Sequence, residues 1–346
     1  MEQKNALFEQ MPVRKAFFKL ALPVVLSMVV SLVYNMVDTY FIAKTGNAHL
    51  VAGVALGSPV FTLMIAVGDI FGLGGSSFIS RLFGQKRDQD GKRLSVFCFY
   101  GALFTGVGIT ALLLLLRTPL LTALGAQADT VQYARDYYTW IAVGAPFIIL
   151  SFTPCNQLRT EGFANASMIG SVLGAVVNIV LDPVLIFGCK LGAAGAAIAT
   201  VIGQFCGMFL GFILNQTRNH ELHLTLHPFF RPHGAVLTDI LAVGIPSVVM
   251  QAISSVMNVL MNMILLGFGA TAVNVLGVYF KLQSFVFMPV FGLSNGLVAI
   301  LGYNYGARMR ARVYDALKVA LIWACVIMLL GTITFLLIPE TLLSLF

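Results

Sequence analysis

Residues 16–41 read AFFKLALPVVLSMVVSLVYNMVDTYF. Among these twenty-six residues only Lys19 and Asp38 carry charge. The run is long enough to cross about 30 Å of hydrocarbon, which takes about 20 apolar residues in a helix. A chain surrounded by lipid must pair its own backbone N–H and C=O groups, so the segment is helical. The lead before it, Met1 to Lys15, is charged and has no small-residue cleavage site. The stretch therefore reads as an uncleaved first span, not as a signal peptide.

The same pattern recurs outward from there. Apolar runs predict further helices near 51–78, 94–116, 131–155, 165–188, 191–214, 237–264, 271–300 and 314–338, nine spans in all. Of 346 residues, 58% are hydrophobic and 10% charged, against about 25% charged in a soluble domain. Mean hydropathy is +0.90. The expected class is all-α and transmembrane.

Loop charge orients the bundle. With the N-terminus cytoplasmic, sixteen Lys and Arg fall at inner positions, among them Arg14, Lys15, Arg81, Lys86, Arg159, Arg231 and Lys318. Four fall outside: Lys44, Arg117, Arg135 and Lys190. That imbalance predicts a multi-pass protein of the inner (plasma) membrane with a cytoplasmic N-terminus and, after nine spans, an external C-terminus. The net charge of +7 then faces anionic lipid, and no basic soluble domain is present to bind nucleic acid. The five cysteines stand singly, with no disulfide or metal spacing. His220, His223, His227 and His233 cluster in the loop 215–236 without Cys or carboxylate at ligand spacing and read as solvated.

The chain repeats itself. Leu22-Pro23 aligns with Ile245-Pro246 at an offset of 223, bringing Asn35 onto Asn258. With small shifts, Phe71-Gly72-Leu73 meets Phe291-Gly292-Leu293, and Gly84-Gln85-Lys86-Arg87 meets Gly306-Ala307-Arg308-Met309. Two copies in one orientation imply a symmetry axis along the membrane normal. The expected organisation is an N-lobe over 1–214, an inter-lobe cytoplasmic loop over 215–236 and a partial second lobe over 237–346. On that reading three further helices would complete a twelve-helix protein.

Ionisable groups at membrane depth cost about 2.5–3.5 kcal/mol even on a lenient scale, so each needs a reason. They are Asp38 in the first span, Asp69 in the second, Asp182 in the fifth and Lys281 in the eighth. Asp38 and Asp182 sit at one depth on helices that run the same way. Each has an amide one turn earlier, Asn35 and Asn178. Two carboxylates with amide oxygens could bind Na⁺ or hold a proton. Hydrogen bonding between helices is the alternative, chiefly for the uncharged amides. Pro183 predicts a kink beside Asp182. Asp69, among Gly68, Gly72, Gly74 and Gly75, reads either as cavity-lining or as an interhelical hydrogen bond. Lys281 and Gln283 read as cavity-lining or, for the lysine, snorkelling. Gly170-x-x-x-Gly174 and Gly203-x-x-x-Gly207-x-x-x-Gly211 read as packing seams.

Met36-Val37-Asp38-Thr39, Gly57-x-Pro59, Leu158-Arg159-Thr160-Glu161-Gly162, Asn178-x-x-x-Asp182-Pro183 and Gly192-Ala-Ala-Gly195 through Thr200 together resemble the multidrug and toxic compound extrusion (MATE) family. Val278-Tyr279-Phe280-Lys281-Leu282-Gln283 and Gly302-Tyr303-Asn304-Tyr305-Gly306 are similar to its MepA-like branch. The resemblance implies a twelve-helix fold, nine helices of it present here, with two lobes rocking about a central cavity. It implies ion coupling at Asp38 with Asn178, Asp182 and Thr200, and more loosely Asn156, with Na⁺ a candidate at Asp38, Asn178 and Asp182. Gln251 stands near a second-lobe position that is acidic in some relatives.

The function so expected is antiport of cationic or amphipathic drugs against Na⁺ or H⁺ by a monomer in contact with membrane lipid, without a cofactor. A lipid-linked oligosaccharide flippase is the alternative within the wider superfamily. An intramembrane aspartyl protease would use two membrane aspartates, but its Gly-x-Gly-Asp signature is only approached at Ala66-Val67-Gly68-Asp69, so no enzyme is expected.

Overall fold

The computed structural model describes residues 6–218 and 270–340 and, between them, 238, 240–242, 244–246, 248, 249, 253, 257, 260, 261, 264 and 265. The described residues form helices, turns and bends, with no strand among them. Helix α1 is Val13–Lys44. Helix α2 (Ala48–Asp69) passes through a π turn at Ile70–Gly74 into α3 (Gly75–Gly84). Then come α4 (Asp88–Leu115), the short α5 (Arg117–Ala123) and α6 (Val131–Thr160). Helix α7 (Ala164–Pro183) enters a second π turn, Val184–Gly188, ahead of α8 (Ala193–Arg218). The last two are α9 (Ala270–Gly306) and α10 (Arg310–Leu337).

Eight described helical stretches are long and apolar enough to cross a membrane, with α2 and α3 forming one of them. They match eight of the nine expected spans, lengthened by a turn or less at most ends. The other expected span, 237–264, lies largely outside the described residues; those of its positions that are described, Ile240, Gly244 and Leu260 among them, are helical. Large apolar side chains face outward, such as Val107, Leu112 and Leu115 on α4. Lipid tails are the natural solvent of such a surface.

Where apolar side chains already face apolar solvent, helices associate through close packing at small residues. Both expected glycine seams are contacts of this kind. A Cβ at Gly174 would lie 2.8 Å from the Gly203 carbonyl oxygen, and one at Gly207 would lie 3.0 Å from that of Gly170. Helices α7 and α8 therefore meet backbone to backbone. Helix α1 is held in the same way, since a Cβ at Gly292 of α9 would lie 2.7 Å from Val25 Cα and one at Gly296 would lie 2.6 Å from Ala21 Cα.

The repeat is visible at the end of the bundle that carries Arg81, Lys86, Arg308 and Arg310. A Cβ at Gly84 of α3 would strike the Tyr303 carbonyl oxygen, and one at Gly306 of α9 would strike that of Arg81. Each pair is the other shifted by 222 residues, within one of the repeat offset. Lys86 and Arg308 end their helices alike, with φ of 61° and 58°. Arg87 N–H donates to the Leu82 carbonyl at 3.0 Å, and Met309 N–H to that of Asn304 at 2.9 Å. A left-handed residue closing the last carbonyls is a helix stop usually made with glycine.

A strap crosses this basic end. The turn Ala6–Gln10 precedes α1, and its Phe8 ring stacks on Tyr303 at 4.9 Å. Glu9 Oε1 accepts from Lys86 Nζ at 2.5 Å and from the Tyr303 hydroxyl at 2.7 Å. Arg312 donates to the Met11 carbonyl at 2.8 Å. Lys86, with help from the Tyr303 hydroxyl, holds the Glu9 carboxyl below the usual carboxylate range, and Glu9 in turn pushes the Lys86 ammonium up. Because the Glu9 value is lowered in the closed state, its contribution is complete above the ordinary carboxylate range and lost as pH falls through the lowered value. The Lys86 contribution is complete below its ordinary value and lost only as pH rises through the raised one. Contact at the basic end should therefore hold steady across neutral pH and loosen in acid. Spin labels at Arg87→Cys and Arg310→Cys should report a distance that broadens in acid. Glu9→Gln should remove that acid response at a cost of about 1 kcal/mol or less, as for an exposed ion pair.

Candidate functional site: a carboxyl pair between α1 and α7

The seam between α7 and α8 fixes the floor of the site. It brings Asn178 against α8, where its side-chain amide donates to Thr200 Oγ1 at 3.3 Å. Both residues are buried. One turn further along α7, Asp182 is fully buried. Its carboxyl lies within hydrogen-bonding reach of that of Asp38 on α1. Among the described residues no N–H or O–H reaches Asp38 Oδ1, either Asp182 oxygen or Asn178 Oδ1. Ionised carboxylates only accept, so two of them can bond to each other only through a proton. A hard cation would satisfy the same oxygens.

Two tyrosines stand near the pair. Tyr137 of α6 is buried and, with Tyr34 of α1, lies within electrostatic range of both acids. A Cβ at Gly57 of α2 would strike the Tyr137 ring, which gives Gly57 a physical role. The site thus draws on α1, α2, α6, α7 and α8.

The other expected residues lie elsewhere. Asn35 is exposed and donates to the Ser31 carbonyl of its own helix at 2.9 Å, so it is not brought to the carboxyl pair. Asn156 donates to the Phe152 carbonyl at 2.8 Å and accepts from Arg159. Asp69, half-buried at the first π turn, is within electrostatic range of Arg159. On α9, Lys281 is exposed and Gln283 half-buried. Gln251 and Asn258 lie outside the described residues, as do the four loop histidines. Pro183 produces no break: α7 winds into the π turn, closed by Cys189 N–H donating to the Val184 carbonyl at 2.8 Å.

The MatE family model matches residues 23–184 and 246–346. The chain belongs to the MatE family. Multidrug export protein MepA of Staphylococcus saprophyticus is 30% identical over 320 residues, which cover 92% of this chain and 70% of the relative. Its namesake in Staphylococcus haemolyticus is 31% identical over 320 residues, with the same coverage of both chains. A solved outward-facing multidrug resistance MATE transporter superposes with a TM-score of 0.92 at 29% identity, covering 99% of this chain and 76% of that one.

One part of this MatE chain was hidden in the sequence. Arg159, counted there as an inner loop charge, is only 8% exposed. It donates to Ser167 Oγ at 2.9 Å and to Asn156 Oδ1 at 3.2 Å. Beside it Asn215 donates to Gln157 Oε1 at 2.9 Å, and Gln157 to the Ser95 carbonyl at 2.9 Å. These side chains tie α4, α6, α7 and α8 together near the basic end. A polar residue in the last turn of an apolar helix looks the same in sequence whether water or another helix covers it.

The apposition of α1 and α7 can be tested directly. With Cys189→Ser as background, Asp38→Cys paired with Asp182→Cys should cross-link rapidly with a short bis-thiosulfonate, and Asn35→Cys paired with Asp182→Cys should not. The reverse order would place the wrong face of α1 against α7.

Proposed function

We propose that this chain is a multidrug efflux transporter of the cell membrane, in which Asp38 and Asp182 bind one H⁺ or Na⁺ as a unit and couple its entry to export of cationic or amphipathic organic compounds. The observation that carries this reading is the buried Asp182 carboxyl set against the half-buried Asp38, with no donor reaching either Asp182 oxygen or Asp38 Oδ1. The names of the relatives, multidrug export proteins, support the substrate class. The charge count supports a cytoplasmic N-terminus, which puts the strapped basic end inside and the carboxyl pair toward the outside.

Helix α1 supplies the coupling. Its first half lies against Gly292 and Gly296 of α9, on the second copy of the repeat, while Asp38 in its second half faces α7. Adding or removing one positive charge at the pair changes how α1 packs on α7. The same helix carries that change to the α1 contact with α9 and so to the two lobes, taken as 1–214 and 237–346 about the linking loop. Differential interaction of the ion with two packings is what a population shift requires.

A flippase for lipid-linked oligosaccharides would offer cations to a diphosphate. The one buried cation among the described residues, Arg159, is engaged by Ser167 and Asn156, which favours the drug exporter.

Asp38→Asn and Asp182→Asn keep side-chain volume and remove the ionisable group. In vesicles, each should largely preserve drug binding and abolish gradient-driven efflux of a cationic dye. The double variant should lose little more than either single one, because members of one unit are non-additive. Efflux near the parent level in either variant, or strictly additive losses, would return both acids to a structural role.

A further inference from the structure

At the basic end, a cavity of about 370 Å³ opens between the start of α1 and the second to fourth turns of α10. Three charged side chains line it: Arg14 from α1, and Asp315 and Lys318 from α10. All three are exposed. Asp315 and Lys318 are one helical turn apart, yet they do not form an ion pair with each other. The groove thus presents two positive charges and one negative, none of them closed into an ion pair with another.

Its other wall is apolar: Val13, Val319 and Ile322. Just beyond, Trp323 packs edge-on against Phe18 at 5.1 Å. Lys318 lies eight residues into α10, about 12 Å along its axis at 1.5 Å per residue. The groove therefore runs from the helix ends toward the hydrocarbon, the level at which tryptophan and basic residues mark the boundary between headgroups and tails.

We propose that this groove is a binding site for the headgroup of an ethanolamine phospholipid. Arg14 and Lys318 meet the phosphate, and Asp315 accepts from the ammonium, which carries N–H donors. One acyl chain follows Val319 and Ile322. Free phosphate would face Asp315 unaided and gain nothing from the apolar wall. A glycerol headgroup has no cation for Asp315, and a choline headgroup has no N–H to donate. The inference needs only that the bundle spans a membrane, so it stands or falls separately from the transport mechanism.

The chain has two tryptophans, so Trp140→Phe leaves Trp323 as a fluorophore beside the groove. The full chain in phosphatidylcholine vesicles would receive a small, constant fraction of lipid brominated on its acyl chains, carrying an ethanolamine, glycerol or choline headgroup in turn. Quenching of Trp323 by the brominated ethanolamine lipid should exceed that by the other two severalfold. Asp315→Asn, and separately Arg14→Gln with Lys318→Gln, should bring it down to the choline level, while Lys318→Arg should retain it. An unchanged melting temperature would show that each variant is folded. Equal quenching by all three headgroups would overturn the proposal. So would a preference for the glycerol lipid that survives Asp315→Asn, or displacement of the ethanolamine lipid by inorganic phosphate.

Discussion

Backbone contact through glycine is the constraint on which the rest of this bundle depends. Lipid offers no hydrophobic reward for pressing apolar helices together, so position is decided where small residues allow main chains to touch. The Gly174 and Gly203 contact sets α8 against α7 and thereby Thr200 against Asn178. The Gly84 and Gly306 crossing sets α3 against α9 and closes the basic end. A methyl group at any of these four glycines would meet a carbonyl oxygen of the neighbouring helix.

Helix α1 joins these two arrangements. It is continuous through Pro23 over Val13–Lys44, so its contact with α9 and the position of Asp38 lie on one helix. The Glu9, Lys86 and Tyr303 cluster holds the segment ahead of α1 to the basic end. On the proposed reading, a charge change at one end of the helix is passed to a lobe contact at the other, which is what coupled transport requires.

Much of this was legible in the sequence, for physical reasons. Span lengths follow from bilayer thickness, and the runs around Gly170, Gly174 and Gly203 could only be seams. Asp38 and Asp182 could be paired because depth follows from residue count along a helix. Depth says nothing about rotation about the axis, and Asn35, three residues from Asp38, is exposed and bonds to the carbonyl of Ser31 in its own helix. Arg159 went unrecognised because a cation at a helix end has the same sequence signature whether it is solvated or, as here, covered by Ser167 and Asn156. In sequence Gly57 is a motif position without a mechanism, whereas in the fold the Tyr137 ring lies against it.

The central claim is that Asp38 and Asp182 bind one positive charge jointly. Infrared difference spectroscopy on the protein in lipid, with carboxyl-labelled aspartate, tests it most directly. The account predicts a single protonated carboxyl that is lost on alkalinisation or on adding Na⁺, with that signal changed or abolished by both Asp38→Asn and Asp182→Asn. Two independent protonation events, or a signal that either substitution leaves untouched, would contradict it.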